Sequence, residues 1–168
     1  MKNTKKVIIV LILLVVIGIG LIFIIDNNKK IETNDYVKVS ALSDEDKEKL
    51  DNAIEIKTDY CTLYYPSIYK EDLEVKYSND TGYKAEFYGK VKGKEEVHLF
   101  DICFNSDDGD LLGYLEYDEE NINMSFEVNE LSFDDSWKQK NIDKMYAMQE
   151  EVNFVLAALG TNENYVEP

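Results

Sequence analysis

Apolar positions divide the chain into three stretches. Val7 to Ile25 is a run of 19 residues, all Val, Ile, Leu or Phe except Gly18 and Gly20. At helical rise it is about 28 Å long, close to the roughly 30 Å hydrocarbon core of a bilayer. It predicts a transmembrane helix whose insertion is favourable by about 5–10 kcal/mol. The run is longer than a signal-peptide core of about 7–15 residues. Ile24-Ile25-Asp26-Asn27 offers no small-x-small cleavage site, and no Cys follows that would direct lipoprotein processing. The expectation is an uncleaved anchor. Lys2, Lys5 and Lys6 precede it and favour a cytoplasmic N-terminus, although Lys29 and Lys30 pull the other way. The expected topology is N-in, with the remainder outside the cell.

Asp26 to Ser40 is polar, with Val37 and Val39 as its one alternating pair, and reads as a stalk. The expected organisation is residues 1–25 as tail and anchor, 26–40 as stalk and 41–168 as a folded domain. In that domain Ser43 followed by Asp46 predicts a capped short helix ending near Asn52 to Ile54. Ile54 to Tyr65 reads as one strand with a break near Asp59, closed by Pro66. Leu73, Val75 and Tyr77 share a face of the next strand. Tyr83, Ala85 and Phe87 point inward in the one after, with Lys84, Glu86 and Tyr88 outward. Glu96 to Phe104 is apolar on both parities and predicts a central strand covered on two sides. Leu111 to Tyr117 and Ile122 to Val128 complete about six mostly antiparallel strands joined by hairpins. Ile142, Met145, Met148, Val152, Val155, Leu156 and Leu159 recur at helical spacing. They predict one long helix, capped by Asp134, Asp135 or Ser136 and stopped by Gly160. The fold class expected is α+β: a mostly antiparallel sheet with a short N-terminal helix and a long C-terminal helix packed on it.

Charge narrows the partners. All 34 acidic residues follow the apolar run, while three of the 18 lysines precede it. The domain side therefore sets 15 lysines against 34 acids, a formal −19. Such a surface repels phosphate backbones and excludes nucleic acid as a natural partner. An envelope protein, a peptide or a glycan remains open, and the charge also keeps the domain soluble.

Tyr60-Cys61-Thr62-Leu63-Tyr64-Tyr65-Pro66-Ser67-Ile68-Tyr69, a strand ending in Tyr-Pro before a short turn with an aromatic, resembles the opening of PsbP-like domains. A Trp is common in that family where this chain has Tyr69. Leu99-Phe100-Asp101-Ile102, Leu111-Leu112-Gly113 and Phe133-Asp134-Asp135-Ser136-Trp137 resemble segments of small membrane-anchored proteins of unknown function from Gram-positive bacteria. The resemblance implies an antiparallel sheet with flanking helices and an envelope location. It implies no catalytic residues.

Candidate chemistry is sparse. Cys61 and Cys103 are the only cysteines, and a bridge between them would contribute roughly 4 kcal/mol in an oxidising compartment. The alternative is two small apolar residues with free thiols. His98 is the sole histidine. It lies on the opposite parity from Cys103 in one strand, so the two are expected not to meet as a nucleophile–base pair. Asp107-Asp108-Gly109-Asp110 lacks the spacing of a calcium loop and reads as a turn. No metal-binding or cofactor motif stands out. Tyr64, Tyr65, Tyr69 and Tyr88 are candidates for an aromatic binding surface, set against a role filling the rims of the core. The expectation is a membrane-tethered, non-enzymatic binding module at the cell envelope. The alternatives are an envelope hydrolase working with acidic residues and a cation-responsive domain.

Overall fold

The computed structural model describes residues 36–80, 82–117 and 120–167, all within the compact unit Asp35–Pro168. The expected anchor, Val7 to Ile25, lies outside the described residues. Among those residues no helix is long and apolar enough to cross a membrane.

Helix α1 spans Asp44–Leu50. The Ser43 hydroxyl accepts from the Asp46 amide at 3.1 Å and donates to its carboxylate at 2.6 Å. Asp44, Glu45 and Asp46 place negative charge on the positive end of the helix dipole. Strands β1 (Ile54–Lys57) and β2 (Thr62–Tyr65) then form a separate antiparallel pair. The single strand expected over Ile54 to Tyr65 is thus a hairpin. Its turn is built by Thr58, whose hydroxyl accepts from the amides of Tyr60 and Cys61 and donates to the Cys61 carbonyl. A side chain that satisfies two backbone donors competes with continued pairing.

After a 3₁₀ turn at Ser67–Tyr69 come β3 (Leu73–Ser78), β4 (Tyr83–Gly89), β5 (Val97–Phe104), β6 (Asp110–Tyr117) and β7 (Glu120–Val128). Strand β8, Tyr165–Val166, was not foreseen. The sheet order is β3-β4-β5-β7-β6-β8, and all paired neighbours are antiparallel. The β5–β6 connection is therefore not a hairpin, because β7 lies between the two strands. The loop from Asn105 to Gly109 carries the chain past β7. Asn105 takes a left-handed φ of 50°, its amide donates to the Asn123 carbonyl and its side chain accepts from the Asn123 amide.

One face of the sheet holds the core. Ala85, Phe87, Phe100, Ile102, Phe104, Met124, Ile122 and Leu115 are all buried there. Phe87 and Phe100 stack across the β4–β5 pair with ring centroids 4.4 Å apart. Tyr65 of β2 lies against both rings, and its hydroxyl donates to the Met148 carbonyl at 2.6 Å. Full burial of each large apolar side chain contributes about 1.5–3 kcal/mol, so this layer dominates the stability.

The expected long helix is two helices, α2 (Gln139–Glu150) and α3 (Val152–Leu159), divided at Glu151. Composition explains the division. Among α2 residues only Met145 and Met148 are buried, whereas α3 buries every residue except Asn153. A straight helix offers one stripe to a core, but a segment apolar nearly all round must be surrounded. Helix α3 packs against β2. The expected acidic caps do not serve: Lys138 precedes α2 without a side-chain cap, and Asp134 instead closes a turn by accepting from the Ser136 amide. Gly160 ends α3 in right-handed geometry, with φ −59°.

The folded unit also begins ahead of Ala41. Val39 is buried, Tyr36 bridges Leu111, and the Val37 amide donates to the Leu111 carbonyl at 2.7 Å. The last residues assigned to the stalk belong to the domain. Val37 and Val39 were the sign of it.

Gly109 has φ +78°, and a Cβ there would lie 2.3 Å from the Phe126 carbonyl oxygen. Backbone cannot yield as a side chain does, so Gly109→Ala should destabilise the protein by about 2 kcal/mol or more. Urea unfolding of the full chain measures it. An unchanged midpoint would show that the β5–β7 crossing is looser than described.

Candidate functional site

The other face of the sheet carries charge and hydrogen bonds. Its organisation follows from one irregularity. In the β4–β5 pairing Phe87 is opposite Phe100 and Tyr88 is opposite His98, so Leu99 is an extra residue in β5. A β-bulge of this kind resets the alternation of side chains. Leu99 is fully buried beside Met145 and Gly89 on the core side. His98, Asp101 and Cys103, paired with the outward residues Tyr88, Glu86 and Lys84, then share the outer face. The strand is central and buried on both faces from Leu99 to Phe104, as expected, but its outer face carries His98, Asp101 and Cys103 and so is not wholly apolar. The expectation that His98 and Cys103 lie on opposite faces is overturned. They remain separated, because Asp101 stands between them and takes the imidazole.

Two cross-strand rows of four residues result. Lys76, Glu86, Asp101 and Glu127 follow one another across β3, β4, β5 and β7. Directly opposed side chains have Cβ atoms about 4.5–5.5 Å apart, where like charges repel. Each of the first two carboxylates is compensated. Glu86 accepts from Ser78 at 2.7 Å and Tyr88 at 3.0 Å, and the Ser78 bond is the main reason its carboxyl lies below the ordinary range. Asp101, 5 % exposed, holds Oδ1 at 2.5 Å from His98 Nε2. The His98 ring stacks on Tyr88 with centroids 4.4 Å apart. On the other side of Tyr88, Lys76 lies 4.4 Å from the ring centre and pairs with Glu96. Burial, and then Glu86, push the Tyr88 hydroxyl up to about 12.

The adjacent row is Ser78, Lys84, Cys103 and Ser125. The Asp107-Asp108 turn folds back over its end. Lys84 pairs with Asp108 at 2.8 Å, and the Ser125 hydroxyl donates to the Asp108 carbonyl. Asp108 therefore serves the turn. Cys103 is fully buried beneath it, and burial pushes its thiol up to about 11.

The sequence candidates are scattered. Cys61 shares parity with Leu63 and Tyr65 and packs against the core, with its thiol also pushed up to about 11 by burial. Cys103 faces the opposite side of the sheet, and both thiols are free. The candidate disulfide is not formed. The four tyrosines do not make one surface either. Tyr65 is core, Tyr69 packs edge-on against it, Tyr64 alternates to the other side of β2, and Tyr88 belongs to the outer face. The sequence reading missed an aromatic group near the start of α2, where Trp137 packs on Phe133 and Phe133 meets Tyr146.

At the His98 end the outer face opens into a cleft of about 480 Å³. His98, Glu96, Asn129, Glu130, Asp134 and Trp137 contribute to its lining. The Asn129 amide nitrogen is buried without a hydrogen-bond partner, although its backbone is held by Leu99 and Gln149. Among the described residues no group of three or more His, Cys, Asp or Glu side chains is arranged to hold a metal ion.

Comparison of the chain with protein-family models, with curated proteins and with solved structures gave no match.

Two outcomes follow. Without reductant, Ellman's reagent should find two thiols after denaturation and slow reaction in the native protein at pH 7, since Cys103 is fully buried, Cys61 is half-buried and both thiols are protonated. Zero thiols after denaturation would establish a bridge. Ser78→Ala should cost about 1 kcal/mol at pH 7, the worth of one hydrogen bond. Because the folded Glu86 carboxyl is lowered, its stabilisation is complete above about pH 5 and lost as pH falls through the folded value. The difference between Ser78→Ala and wild type should shrink in acid. A pH-independent difference would mean that Glu86 is not the group involved.

Proposed function

We propose that this chain is a membrane-tethered binding module whose acidic α+β domain works outside the cell. The tether rests on the run from Val7 to Ile25, too apolar and too long to favour water over lipid. The location rests on Lys2, Lys5 and Lys6 ahead of it. The binding reading is carried by one observation above all. Among the described residues the His98–Asp101 pair faces no activated nucleophile, since Cys103 is buried, protonated and on the far side of Asp101. Covalent catalysis needs a nucleophile within hydrogen-bond reach of the base. The pair therefore serves to fix a charged, aromatic surface in place.

An envelope hydrolase is the second reading, favoured by the adjacent carboxylates Glu86, Asp101 and Glu127. A retaining or inverting pair needs one carboxyl kept protonated. Glu86 is shifted the other way, toward its charged form.

Protease treatment of intact cells carrying a C-terminally tagged chain tests the assignment. The tag should be lost from intact cells while the chain stays in the membrane fraction before treatment. A tag protected until lysis would place the domain inside. A shortened chain in the culture medium would remove the tether.

A further inference from the structure

The cleft beside His98 differs in chemistry from the rest of the surface. Its lining includes four carboxylates, Glu95, Glu96, Glu130 and Asp134, one indole, Trp137, and no lysine. An ammonium already sits against this wall. Lys94, from the β4–β5 turn, holds its Nζ 5.6 Å from the centre of the Trp137 ring and donates to the Ser136 hydroxyl, which donates on to Asp134. The face of an indole attracts a cation through its quadrupole, and a nearby carboxylate adds to that attraction. Phe133 backs the indole at 4.9 Å between ring centroids.

We propose that this cleft binds the lysine side chain of a basic peptide segment, its ammonium set between Glu95 and Glu130 beside Trp137. The proposal rests on the reading of the domain as a binding module and adds its surface and its ligand. Lys94 shows the chemistry that the wall accepts; with Glu96 paired to Lys76 and Asp134 bonded to Ser136, Glu95 and Glu130 supply the remaining charge. The formal −19 of the domain side draws a basic segment toward the surface, and the cleft selects where it settles. A neutral, acetylated lysine keeps the apolar stem but loses both attractions.

Trp137 is the chain's one tryptophan, so its emission reports this site directly. The full-length chain in non-ionic detergent micelles is titrated at physiological salt with a capped penta-lysine peptide and with the same peptide acetylated on every side chain. Penta-lysine should change the emission saturably, and the acetylated peptide should not. Glu95→Gln and Glu130→Gln, both at exposed positions, should each raise Kd about threefold, as expected for one exposed charge pair. Glu48→Gln on α1 removes an equally exposed charge elsewhere and should leave Kd unchanged. Equal weakening by Glu48→Gln would reduce the effect to diffuse attraction and overturn the proposal. So would binding that leaves Trp137 emission unmoved, or no binding up to about 1 mM peptide. None of these failures bears on the tether, which protease accessibility reads by itself.

Discussion

One extra residue in β5 decides what each face of this sheet carries. With Leu99 bulged toward Met145, a strand that reads as apolar on both sides separates cleanly. Leu99, Phe100, Ile102 and Phe104 fill the core, while His98, Asp101 and Cys103 turn outward. A second irregularity in β6, between Leu111 and Gly113, leaves Leu112 as the extra residue there, and it too is fully buried. Both bulges gain an apolar side chain for the core at the cost of a local break in the ladder. The first also brings a histidine and an aspartate three positions apart onto one face, which regular alternation forbids.

The outer face is then an electrostatic compromise. Carboxylates stand side by side across β4, β5 and β7 in a domain that is already strongly acidic. The structure offsets their repulsion locally. Ser78 and Tyr88 donate to Glu86, His98 meets Asp101, and Lys84 holds Asp108. Lys76 ties β3 to Glu96 across the Tyr88 ring. The lysines on this face are thus largely engaged by its own acids, while the cleft by Trp137 keeps an excess of negative charge. That imbalance connects the fold to a basic partner.

Where side-chain periodicity dominates, the elements were legible. The alternation of Lys84 to Tyr88 reports one buried face and the spacing of Met145 and Met148 one buried stripe, while the cap at Ser43 is a hydrogen bond local in sequence. What escaped depends on contacts far apart in sequence. No local signal marks Leu99 as bulged, because an apolar residue suits either face of a strand. The insertion of β7 between β5 and β6 depends on which edge the chain passes, and consecutive hydrophobic runs do not record that. The division at Glu151 reflects how much of α3 is surrounded, a tertiary quantity. The site was the least legible part: His98 drew notice as the sole histidine, but its partner Asp101 looked like any of the many acids in the chain.

The bulge is most directly tested by the coupling between His98 and Asp101. A double-mutant cycle of His98→Ala and Asp101→Asn, followed by urea unfolding of the full chain at constant pH, isolates that coupling. If Leu99 is the extra residue, the two share a face and the coupling should reach about 1 kcal/mol or more. If β5 alternates regularly, the side chains point to opposite sides, and the two effects should add to within about 0.3–0.5 kcal/mol. Additivity would contradict the account.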